Sequence, residues 1–186
     1  MKSLAFTAGI SLLLAFSACA QDDLSPQAAT PEDMRIFEPY IGSFRSESKP
    51  FDNSEVEYHF TISYQWFDKP KSIVKYVVAM EIPAQERTLV LSEGFYGYDP
   101  FNQQLYVFGA FTRGQSGWGT VGLFDHANGR RETWARSMTP DGKVVHVRDT
   151  FERLDDNHWN NKTYVRQGEE PDWKVVSEDH YTRVQP

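Results

Sequence analysis

The chain has one cysteine, Cys19, in 186 residues. No disulfide framework can hold its fold together. Basic residues are in deficit, with 19 Lys and Arg against 26 Asp and Glu for a formal net charge of −7. Recognition of nucleic-acid phosphates draws on clustered Lys and Arg, so no nucleic-acid partner is expected. There is also no polybasic run to hold an anionic membrane. The apolar stretch Leu4 to Phe16 is too short to span a bilayer as an anchor. The five histidines, His59, His126, His146, His158 and His180, include no pair at i, i+2 or i, i+4. A local metal site is thus not expected, and no cofactor is assigned. What the chain does have is aromatic side chains, 15% of its residues in a sequence only 40% hydrophobic. That balance suits strands with one wet face better than buried helices.

Lys2, the apolar run and the small-residue exit Ser17-Ala18-Cys19-Ala20 read as a secretion signal over residues 1–20. Two processing events fit. Ala18-Cys19-Ala20 satisfies the A-x-A rule, with release before Gln21. Phe16-Ser17-Ala18-Cys19 resembles a lipobox with Phe16 in place of the usual Leu, so that Cys19 would be lipidated and become the N-terminus. Ala20 gives no inner-membrane retention signal of the Asp type. The expected localisation is therefore export, either to the periplasm or to the outer membrane through a lipid on Cys19.

Residues 21–30 are small and polar, a tether without a packing pattern. A single domain is expected over 31–186. Thr30-Pro31-Glu32-Asp33 starts a helix, with a capping residue, a proline at the first position and acids facing the positive end of the dipole. Pro39 limits it to about two turns, and Gly42 ends it. From there the period is two. Val56, Tyr58, Phe60, Ile62, Tyr64 and Trp66 alternate with Glu55, Glu57, His59, Thr61, Ser63 and Gln65. Val74, Tyr76, Val78, Met80 and Ile82 make a second alternating strand. Further strand-like runs lie near 87–98, 103–113, 116–125, 130–138, 143–154, 158–167 and 173–184. Turn chemistry separates them at Asp99-Pro100, Arg113-Gly114, Asn128-Gly129, Pro140-Asp141-Gly142, Asp155-Asp156-Asn157 and Gly168 to Pro171. With Ser43 to Glu47 these make about ten short antiparallel strands. No interval has room for a parallel crossover helix, so the pattern predicts an all-β meandering barrel or curved sheet.

Few motifs carry chemistry. Gly117-Trp118-Gly119-Thr120-Val121-Gly122 matches G-x-G-x-x-G, but Leu123-Phe124-Asp125 continues as a strand and opens no helix. Its glycines are expected to permit sharp coiling or the close approach of an aromatic neighbour. His59 falls on the polar side of its strand, where a solvated role is expected. The acid pairs Asp155-Asp156, Glu169-Glu170 and Glu178-Asp179 sit mostly in turns and make no catalytic dyad. With the apolar side turned inward, Tyr58, Phe60, Tyr64, Trp66, Tyr76, Trp118 and Trp134 are expected to line the interior. If Trp134 faces inward, Arg136 does too, where a guanidinium would hold a ligand carboxylate unless a neighbouring acid pairs with it. The ligand-lining candidates are Tyr64, Trp66, Tyr76, Trp118, Trp134 and Arg136.

The segment Glu93-Gly94-Phe95-Tyr96-Gly97-Tyr98-Asp99-Pro100 resembles the exported bacterial family called domain of unknown function 1579. The opening Tyr40-Ile41-Gly42-Ser43-Phe44, the element Gly122-Leu123-Phe124-Asp125 and the closing Tyr181-Thr182-Arg183 are similar to that family as well, with Phe44 where Trp is usual. The resemblance covers about residues 39–183. It implies a lipocalin-like (calycin) barrel and, from the wider superfamily, carriage of small apolar molecules with occasional enzymes. A haem-binding barrel would offer a late histidine ligand, but the residues around His180 depart from such a pattern and no haem role is assigned. Three functions remain in view: a non-enzymatic envelope protein holding a small apolar or amphipathic ligand; an isomerase or hydrolase acting on an enclosed apolar substrate; and a solid-cored structural or partner-binding protein.

Overall fold

The computed structural model describes residues 25–50, 55–68, 70, 72–111, 115–138, 141–168 and 172–185. The expected secretion signal with Cys19 lies outside these residues, as do Arg113, Gly114, Pro140 and Glu169 to Pro171 among the expected turns. A 3-10 helix, Pro31–Tyr40, comes first. Its start is fixed by Asp33, whose carboxylate accepts bonds from the backbone N–H and the hydroxyl of Thr30, both 2.8 Å. Eleven strands make up the rest: β1 Gly42–Ser46, β2 Lys49–Pro50, β3 Glu57–Trp66, β4 Ile73–Ile82, β5 Arg87–Asp99, β6 Gln104–Phe111, β7 Gln115–Asp125, β8 Arg130–Met138, β9 Val144–Arg153, β10 His158–Gln167 and β11 Lys174–Arg183.

Every neighbour from β3 to β11 pairs antiparallel with the next, and β1 pairs with both β11 and β3. Ten strands thus close into a ring, and β2 is an extra two-residue pairing on the start of β3. The closed barrel expected from the period-two pattern is the fold observed, and closure removes the exposed edges of an open sheet. Three bulges adjust the faces, at Val78/Ala79, Val121/Leu123 and Thr163/Tyr164. The one at Gly122 turns Phe124 inward, where it is buried, and leaves Leu123 outside.

The helix caps one end of the ring. Met34, Ile36, Phe37 and Tyr40 are buried in the same cluster as Phe44, Tyr64, Tyr96, Phe151, Trp159 and Tyr181. Hydrogen bonds pin it there: Tyr40 Oη donates to the Gly129 carbonyl at 2.6 Å, and Arg183 donates to the carbonyls of Ile41 and Pro39 at 2.7 and 2.8 Å. The Arg183 guanidinium also lies over the Phe44 ring, 4.4 Å from its centroid.

Candidate functional site

The inside of the barrel has two halves. In the half under the helix, the inward residues Phe44, Tyr64, Val74, Leu105, Val121, Phe151 and Trp159 are all buried. Aromatic rings interlock there: Tyr40 meets Trp159 edge-on at 5.4 Å, and Trp159 stacks on Tyr181 at 4.5 Å. At the centre of this packing stands Arg131, with 0% of its surface exposed. Its guanidinium carbon lies 3.7 Å from the Phe151 centroid and 4.9 to 5.4 Å from those of Phe37, Tyr40, Tyr96 and Tyr64. It donates to Tyr64 Oη at 2.8 Å and to Thr133 Oγ1 at 3.3 Å, while its Nε has no partner. Burial works against the charge, but the surrounding Tyr64, Tyr96 and Tyr40 outweigh it, so Arg131 remains a cation. Tyr64 and Tyr181 in turn keep their protons, since burial pushes both well above the ordinary phenol range.

In the other half, several inward residues keep part of their surface accessible, while Ser92 and Ile82 there are buried. Phe60, Val78, Met80, Val147, Asp149, Thr163 and Val165 are half-buried, although they point to the same side as the buried set. The boundary between the halves is polar. Thr163 Oγ1 donates to Asp149 at 2.6 Å, and Asn161 and Thr133 are buried next to it in register. Burial raises the Asp149 carboxyl, partly offset by the Thr163 bond, the Arg131 charge and Asn161. Across the ring, the Tyr76 hydroxyl accepts from Ser92 Oγ at 3.3 Å. A Cβ on Gly109 would lie 2.0 Å from that hydroxyl, so only glycine lets Tyr76 lie flat on the wall. Where β1 leaves the ring, Lys49 bonds the buried Asp179 carboxylate and the Glu178 carbonyl, closing the gap beside β11.

Three of the six ligand-lining candidates face inward. Tyr64 is buried in the closed half as the acceptor for Arg131, and half-buried Trp66 packs against the core on that side. Tyr76 alone borders the accessible half. Trp118, Trp134 and Arg136 are on the outer wall, which corrects the expectation for all three. β8 turns Arg131 and Thr133 inward, so Glu132, Trp134 and Arg136 face out. Trp134 covers Gly122, where a Cβ would meet its ring at 2.2 Å, and its indole N–H donates to Glu132 at 3.4 Å. The expected aromatic approach to a glycine of the G-x-G-x-x-G run is this contact, on a strand. Glu132 is buried on the outside because Arg130 and Arg148 cover it, at 3.1 and 3.0 Å. His59 likewise is not solvated: it is buried against Glu81 at 2.9 Å on the outer face. His180 is exposed, between the inward residues Asp179 and Tyr181.

Sequence reasoning placed Arg136 inside where the structure places Arg131, and it missed Asp149 and Trp159. Asp149 carried no local signal, because its partner Thr163 is on another strand. Among the described residues no three His, Cys, Asp or Glu side chains converge on a metal position.

These features define a class: a closed ten-stranded antiparallel barrel, capped by a helix and packed solid at one end, more accessible at the other. No family model matches the sequence, and no curated protein is significantly similar to it. Among solved structures the chain is similar to the crystal structure of Rv2717c from M. tuberculosis, with a TM-score of 0.56 and 13% identity. The match covers 86% of this chain and 100% of that one. At that identity the likeness establishes the fold alone.

Proposed function

We propose that the protein is an exported cell-envelope binding protein that holds a small amphipathic ligand in the accessible half of its barrel. The observation that supports this is the division of the interior. The same inward face that is buried under the helix is only half-buried at Phe60, Val78, Met80, Val147 and Val165. Val78, Met80, Val147 and Val165 would meet the apolar part of a ligand, and Asp149, Thr163 and Tyr76 its polar end. Export with lipid on Cys19, and kinship with the domain of unknown function 1579 family, belong to the same proposal. Two of the segments that carry this resemblance meet at the capped end, where Arg183 bonds the Ile41 carbonyl and lies over Phe44.

Asp149 also favours a second reading. A carboxyl raised by burial beside accessible apolar surface is the kind of group an isomerase or hydrolase uses as an acid. The ligand has to come first, and Val147→Trp tests it by placing a large ring beside Asp149 on the inner face. The neutral dye N-phenyl-1-naphthylamine should bind the parent and the outer-wall variant Trp118→Ser but not Val147→Trp. Equal binding to the parent and to Val147→Trp would remove the lumen as the site.

A further inference from the structure

One wall of the barrel is apolar on its outside. Phe95, Phe108 and Trp118 are outward cross-strand neighbours on β5, β6 and β7. Phe67, from the β3–β4 turn, meets Phe95 edge-on at 5.2 Å. Phe67, Phe108 and Trp118 keep 62, 53 and 56% of their surface exposed, and Phe101 at the tip of the β5–β6 turn keeps 95%. Isolated exposed apolar residues need no explanation, but aromatics contiguous across three strands mark a contact surface. Other parts of the outer face carry ion pairs, Arg148 with Glu132 on β9 and β8 and Lys162 with Glu178 at 3.0 Å on β10 and β11. The β5–β7 wall is rich in exposed aromatics, and among them it carries an ion pair, Lys75 with Glu93 at 3.5 Å.

The start of the described chain lies at the capped end, beside the β5–β6 turn, with Ala29 buried in the core. Gln27 N donates to the Gly122 carbonyl of β7 and Ala29 N to that of Gln103, two residues past Phe101, both at 2.7 Å. Only six positions separate Cys19 from Ser25, and six residues reach at most about 22 Å. We propose that the outer wall of β5–β7 and the β5–β6 turn lie against a zwitterionic lipid surface, delivered there by a lipid on Cys19. This rests on the lipoprotein reading above. Aromatic side chains favour the boundary between water and hydrocarbon. Asp99 does not oppose the contact, because its carboxylate is folded back onto the N–H groups of Phe101 and Asn102 at 2.9 and 3.3 Å. Arg136, beside Trp118 in register, supplies a cation for a headgroup phosphate. The net charge of −7 disfavours an anionic surface.

An acylated Cys19 has no free thiol, so Phe101→Cys or Lys143→Cys introduces the one reactive thiol in the lipidated chain. Lys143 is exposed in the β8–β9 turn at the opposite end. Each variant is purified from membranes, spin-labelled and placed in phosphatidylethanolamine–phosphatidylcholine vesicles, and the mass of its N-terminal peptide is measured. The expected result is a diacylglyceryl mass on Cys19, with loss of nickel-chelate accessibility and gain of oxygen accessibility at 101 but not at 143. A lipidated Cys19 with both labels equally open to the chelate overturns the docking and leaves the lipoprotein reading standing. An N-terminus without lipid overturns both. Dipolar broadening between labels at 101 would place a second copy on this wall and also overturns the proposal.

Discussion

Trp159 and Trp66 both point into the barrel, yet they do different work. Trp159 is buried among Tyr40, Phe44, Phe151 and Tyr181, with every ring centroid within 5.5 Å of its own. Trp66 is half-buried at the margin of the same cluster. Truncating a fully packed tryptophan removes its contacts and leaves a void, at a cost of about 3–5 kcal/mol. Trp159→Ala should lose about that much in urea unfolding, and Trp66→Ala distinctly less. Equal losses would mean that the packing does not concentrate on Trp159. Arg131 shows why composition misleads at this scale. A cation in a barrel core is expected to face a carboxylate, of a ligand or of a neighbouring acid. Five aromatic rings and two hydroxyl acceptors around it make the burial tolerable.

Among the elements, the capping helix is held by its buried residues, by Tyr40 and by a latch at Arg183. Arg183 donates to three carbonyls, those of Ile41, Pro39 and Asp156, so the last strand holds the helix and the β9–β10 turn together. Arg183→Ala leaves these acceptors without it and should cost about 1–3 kcal/mol. The loss should appear first as faster amide exchange in residues 31–41, with the strand signal in circular dichroism unchanged. If the barrel and helix lose protection together, the latch is not separable from the ring. The strands themselves were legible, because alternation over β3 and β4 and the turn residues between later runs mark each one. The inside of β8 was not. Its one large aromatic residue, Trp134, is on the outer face, and its inner face carries Arg131 and Thr133, so the usual rule points the wrong way. Local pattern orients a strand only when the core it faces is apolar. Half of the candidate site followed that rule, and Trp118, Trp134 and Arg136 did not.

Across the whole molecule, stability should depend on pH through two opposed sets of acids. Asp68, Asp99, Asp125 and Asp155 accept hydrogen bonds in turns, chiefly from Ser72, Asn102, Asn128 and Asn157, and are lowered. Asp33 is lowered as well, its burial outweighed by the bonds from Thr30, and so is Glu81, through the bond from Thr61. Their contribution is present above the unfolded-state values, about pH 4, and is lost as pH falls through the lowered ones. Asp149 runs the other way. Its raised carboxyl favours the fold below the unfolded-state value, and that contribution is lost as pH rises through the folded one. Asp149→Asn should therefore raise the thermal midpoint at pH 7 relative to the parent and leave the acid limb in place. A midpoint that falls at pH 7 would show that the Asp149 charge is needed in the fold.

The ring closes between β1 and β11, and Arg183 bonds a carbonyl 142 positions earlier. Closure of so long a loop comes late, after the local hairpins have formed. Until β11 has left the ribosome or pore, β1 and β10 each lack a partner that only β11 supplies. The growing chain is an open sheet with sticky edges, which invites pairing with other chains. Losing the final ten residues would thus change more than length, since it turns a closed fold into one with two edges to hide.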